Sequence, residues 1–102
     1  MKIPLGYKSL RRVLNLALEQ AASGKGKERH ATDRPFDHQP IMKITREVGT
    51  GFPLGQAAKK ITESAGMLRR RELDSARAEL LGAIVYLCAA YILLEETQND
   101  QR

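Results

Sequence analysis

Apolar residues return along this chain at helical spacing in four places. The first set is Leu10, Val13, Leu14, Ala17, Leu18 and Ala21. They fall at i, i+3, i+4, i+7, i+8 and i+11, one stripe on an α-helix. Ser9 suits the N-cap of that helix and Gly24 its stop. A shorter helix is predicted over 40–48, with Ile41, Ile44 and Val48 on one side and Pro40 at its first position. Gly49-Thr50-Gly51 ends it. Pro53 then opens a third helix, where Leu54, Ala58, Ile61, Ala65 and Leu68 repeat and Gly66 marks a weak point or an end. The last helix is predicted over 73–96. From Leu80 to Leu94 it carries 15 residues with no charge, fewer than the ~20 that span a bilayer. A helix apolar on all sides is expected to be buried on all sides. No segment alternates in the manner of a strand, and no repeat is visible. The expectation is an all-α bundle of about four helices, a single domain over 1–102, with a polar loop at 25–39.

The chain has 102 residues, enough for a modest core with little stability to spare. Self-association through the long C-terminal helix would cover what the other helices leave open. No hydrophobic leader is seen at the start. The single cysteine, Cys88, forms no internal disulfide and lies in the apolar run, so a buried inert thiol in a reducing, cytoplasmic setting is expected. No membrane partner is expected.

Charge changes this picture more than composition does. The net charge is +5, but residues 1–71 hold 15 Lys/Arg against 6 Asp/Glu, and residues 72–102 hold 2 against 6. The first part therefore reads as an anion-facing surface. Two glycine-bearing loops carry much of it. One holds Lys25, Lys27, Arg29 and His30, with Arg34 just beyond; the other holds Gly49, Gly51 and Gly55, with Gln56, Lys59 and Lys60 on the helix it opens. Glycine allows close approach of backbone to ligand, and a helix N-terminus favours phosphate. These eleven residues form the candidate ligand site. The plainer alternative is that the glycines cap helices and the lysines are solvated.

Several chemistries lack support. Gly49 to Gly55 spells G-x-G-x-x-x-G, one residue longer than the dinucleotide fingerprint and with no strand before it; no Gly-Lys-Ser/Thr occurs. His30, Asp33, Asp37 and His38 do not have metal-site spacing, so no metal is expected. No catalytic residue and no cofactor is assigned.

The basic loop after the first helix, then Gly55-Gln-Ala-Ala-Lys-Lys-Ile-Thr-Glu63, then Glu79-Leu-Leu-Gly-Ala-Ile-Val-Tyr86, resembles small phage-encoded helical proteins. The layout is also similar to the MazG-type all-α nucleoside triphosphate pyrophosphohydrolases, in which acids one turn apart on two helices hold magnesium. The resemblance implies such a role for Glu63 and Glu79. Their partners one turn away are Lys60 and Gly82, neither of which supplies the hard oxygen ligand magnesium requires.

Four functions follow in order of expectation. The first is non-catalytic binding or sequestration of a phosphorylated, nucleotide-like small ligand by the basic loops of a homo-oligomer, as in a phage accessory protein. The second is a protein-interaction module that inhibits a host protein. The third is nucleic-acid binding, which lacks a helix-turn-helix, a zinc finger or an aromatic platform. The fourth is a divergent nucleoside triphosphate pyrophosphohydrolase.

Overall fold

The structure, a computed structural model, describes residues 1–23 and 34–100. The elements are α1 (Lys8–Ser23), a 3-10 turn (Phe36–His38), α2 (Pro40–Val48), α3 (Gly51–Arg69) and α4 (Leu73–Asp100). No strand occurs among the described residues, so the all-α expectation holds. α4 organises the rest. Its 28 residues span about 42 Å at the α-helical rise, close to the 46 Å length of the molecule. α1, α2 and α3 all pack on it, α3 most extensively.

Local chemistry explains the boundaries. Pro40 starts α2 behind an extended Gln39, where its missing N–H costs nothing. Gly49 stops α2 with φ +103, and its N–H donates to the Thr45 carbonyl at 2.7 Å. α3 starts at Gly51, two residues ahead of Pro53, and runs through Gly66 to Arg69. Ser9 lies inside α1 rather than capping it. Gly24 and the first part of the expected 25–39 loop, up to residue 33, fall outside the described residues; the remainder contains the 3-10 turn.

The turn from α3 to α4 is a Schellman motif. Glu72 N–H reaches the Met67 carbonyl at 2.9 Å and Arg71 N–H reaches that of Leu68 at 3.1 Å. Arg71 holds the left-handed position, φ 60, that glycine usually takes. The Arg70 guanidinium bonds the Glu72 carboxylate across the turn at 2.6 Å. That bond raises the Arg70 pKa and lowers that of Glu72. The two helices therefore run antiparallel, with Phe52 edge-on to Tyr86 at 6.0 Å near one end and Lys60 opposite Glu79 further along.

The core is built from small side chains. Ala17, Ala57, Ala76, Ala83, Ala89 and Ala90 are buried, and the largest fully buried residues are Met42, Thr45 and Pro53. Phe36, Val85, Tyr86 and Ile92 close around Ile41, Met42 and Ala89. Alanine lets helix axes approach, so many contacts form without large side chains. The expected stripes do not point inward as a set. Of the α1 stripe only Ala17 is buried, and Ile44 and Val48 of α2 are exposed while Met42 and Thr45 are covered. The α3 stripe, Leu54 to Leu68, is exposed throughout.

Two expectations for α4 change with this arrangement. It is not buried all round: only 22% of its most apolar stretch is covered within the chain. By length and composition α4 is also long and apolar enough to cross a membrane, with a mean hydropathy of 1.8. The 15-residue uncharged run is bounded by Glu79 and Glu95; the helix passes as a candidate span because a stretch of 18 residues with a charge at its edge is still strongly apolar. Cys88, expected to be buried, is exposed, because its side of α4 looks away from α3.

Candidate ligand-binding cleft

A cleft of about 660 Å³ opens between α1, α3 and α4, with the 3-10 turn at one side. Leu16, Gln20, Phe36, Val85 and Tyr86 supply much of its wall; Glu19, Gln39, Lys60 and Glu79 supply polar groups. The Gln20 amide donates to the Ala78 carbonyl at 3.1 Å, which fixes α1 against α4. A second hollow of about 470 Å³ is mostly apolar and includes Leu14, Leu18, Ile84, Cys88 and Arg34. The two share the walls Ala21, Phe36, Gln39 and Val85, so they adjoin as two parts of a trough along α4. Its size suits a small organic ligand.

Lys60 and Glu79 are the charged centre of the cleft. Each side chain is only 18% exposed, and Lys60 Nζ lies 3.6 Å from Glu79 Oε2. That distance makes an ion pair but exceeds a hydrogen bond. Glu79 Oε2 is itself buried and accepts no hydrogen bond. Lys60 Nζ also lies 5.9 Å from the centre of the Tyr86 ring, within cation–π range. A notch admits this lysine. A β-carbon on Gly82 would sit 3.0 Å from Lys60 Cδ and Cε, so an alanine there would displace the stem. A carboxylate beside an ammonium on the cleft wall can read a ligand edge that offers both a donor and an acceptor.

The expected site residues divide into three groups. Lys60 and Arg34 line the trough. Gly49, Gly51, Gly55, Gln56 and Lys59 line neither hollow; the three glycines face open space, and Lys59 pairs with Glu63 on the surface at 3.8 Å. Lys25, Lys27, Arg29 and His30 lie outside the described residues. Gln20, Gln39 and Tyr86 were not singled out from sequence, and Glu79 entered only through the resemblance. Its place, immediately before a long uncharged run, is the signal that marks it: a carboxylate there must find a partner. Among the described residues no group of three acidic, histidine or cysteine side chains could hold a metal ion. Glu63 and Glu79 are each committed to a different lysine.

Arg46 serves a different purpose. It grips both oxygens of Glu96 at 2.9 Å and donates to the Asp37 carbonyl at 2.6 Å. This clasp ties α2 and the 3-10 turn to the far end of α4, outside the cleft. The hydrogen bond from Arg46 holds the Glu96 pKa below the ordinary carboxylate value.

No protein-family model, curated protein or solved structure matches this chain. Fold and cleft alone define its class: a small helical protein with a preformed amphipathic trough around one largely buried ion pair.

Proposed function

We propose that this chain binds, without transforming it, a small phosphorylated ligand of nucleotide size in the trough between α1, α3 and α4. The observation that carries this is the Lys60–Glu79 ion pair, each side chain 18% exposed, on the wall of a preformed cleft of about 660 Å³. In this reading a flat, partly polar ring lies against the wall that Tyr86 and Phe36 help to form, with its hydrogen-bonding edge toward Lys60 and Glu79. The ligand's anionic end extends along the trough toward Arg34. Compared with the expectation from sequence, the ligand class is the same but its seat has moved. The binding groups come from the α3–α4 hairpin and α1, not from the glycine turn at 49–55.

Calorimetric titration with a panel of mono-, di-, tri- and cyclic nucleotides tests the proposal. Saturable heat is expected from at least one member. Glu79→Gln and Lys60→Met should each weaken that binding by roughly 10- to 150-fold, the worth of one charge-assisted hydrogen bond. Gly51→Ala, which meets open space, should leave it unchanged. Heat from no member, or equal affinity in the Glu79 and Lys60 variants, would remove the cleft from consideration.

A further inference from the structure

The side of the α3–α4 hairpin away from the cleft is apolar and uncovered. On α3, Leu54, Ala58, Ile61, Ala65 and Leu68 are exposed, at alternating steps of four and three residues. On α4, Leu73, Leu80, Leu87 and Leu94 are exposed and recur every seven residues, with exposed Tyr91 between the last two; Ile84 borders the face but lines the second hollow. This is the spacing of a seam made to meet other helices. Both seams are turned in the same sense, by roughly 40–100°, from the residues that join α3 to α4, Ala57 and Lys60 on one side and Ala76, Ala83 and Ala90 on the other. Because the helices are antiparallel, offsets of the same sense bring the two seams out on one side of the hairpin. Eight large apolar side chains on this face, from Leu54 to Leu94, are between 43% and 65% exposed.

We infer that a second copy of this chain packs on this face, its hairpin antiparallel to the first, so that the two hairpins form a four-helix core. Three observations select that occupant. At these exposures the eight side chains present on the order of 700 Å² of surface, close to the ~800 Å² that each partner gives to a stable interface and above the ~300–600 Å² of the largest patch on a typical monomer. The spacing on both helices is the heptad of helix packing, which a flat lipid surface does not require. The ends of the face carry opposite charge. Arg69 and Arg71 stand at the turn and Glu95 at the other end, and none of the three makes an ion pair among the described residues. An antiparallel copy sets arginines against Glu95, whereas a parallel copy would oppose like charges. The cleft lies on the other side of α4, so this pairing leaves the ligand seat open and does not depend on it.

Light scattering on a size-exclusion column, with circular dichroism as the fold control, tests the inference. The wild-type chain should elute at twice its 11.4 kDa mass. Leu87→Glu and Ile61→Glu should each elute at the single mass with helicity unchanged, since both positions are exposed in the protomer. Arg69→Glu should shift the equilibrium toward the single mass, and adding Glu95→Arg should restore the pair. A wild-type monomer overturns the inference, as does a dimer that survives both glutamate variants. A charge exchange that fails to restore pairing overturns the antiparallel arrangement. A wild-type monomer that floats with phosphatidylcholine vesicles would give the face to a bilayer instead.

Discussion

The two sides of α4 are made from the same kinds of residue in opposite order. Toward α3 it presents Ala76, Ala83 and Ala90, all buried; away from it stand Leu80, Leu87, Tyr91 and Leu94, all exposed. In a self-sufficient domain, the large side chains would fill the core and the small ones would lie outside. Here small residues bring helices of one chain close together, and large residues are left for a surface that the chain does not itself supply. Hydrophobicity thus marks which positions must be covered, and side-chain size separates the cover within the chain from the cover beyond it.

Five substitutions would break or sharpen that contrast. The largest effect is expected from Ala83→Glu set beside Leu87→Glu, four residues apart on one helix. A carboxylate at Ala83, only 4% exposed, has no partner in an alanine seam. Its burial should cost more than ~3 kcal/mol and unfold the protomer in a denaturant titration. Leu87→Glu should leave the protomer folded and act only on association. Next, Ala89→Leu overfills a site with no exposed surface and should cost about 1–3 kcal/mol in the same measurement. Arg71→Gly should act in the opposite direction. Relief of the left-handed residue should stabilise the hairpin by about 1 kcal/mol, a rise of about 4–8 °C in a thermal melt.

The smallest effect is expected at the Arg46–Glu96 clasp, which is more than a third exposed. Arg46→Ala should cost no more than about 1 kcal/mol at neutral pH. The Glu96 pKa is lowered in the fold, so its contribution is present above the unfolded value near 4.5 and fades as pH falls through the folded value. The difference between wild type and Arg46→Ala should therefore shrink in denaturant titrations taken below that range. A gap that widens in acid would contradict the assignment.

The helices were legible because periodicity belongs to the chain itself. Pro40, Gly49 and the Leu54-to-Leu68 spacing place α2 and α3 to within about two residues. The direction in which each stripe faces was not legible. An apolar stripe states that something must cover it, and Leu54 or Leu87 carries no mark distinguishing a helix of the same chain from one of another copy. Lys60 illustrates a different limit. As a surface lysine beside a glycine loop it belonged to an anion site, but its stem turns inward because Gly82, 22 positions along the chain, leaves a notch in the facing helix. Gln20 joins the cleft only through packing, which no local pattern encodes. Cys88 was placed in the interior because its neighbours are apolar, the same confusion of apolar with covered.

The tight turn at Arg70–Glu72 also governs how the hairpin can change length during evolution or engineering. It locks the phase of α3 against that of α4, so one residue inserted within either helix would rotate everything beyond it by about 100°. Half of one seam would then turn toward the cleft or the solvent. Seven residues added to each helix would preserve both seams, at the small overwinding that a heptad repeat imposes. Length variants of this protein should therefore keep the hairpin in steps of whole heptads and accept single-residue changes only outside it, ahead of α1 or past the end of α4.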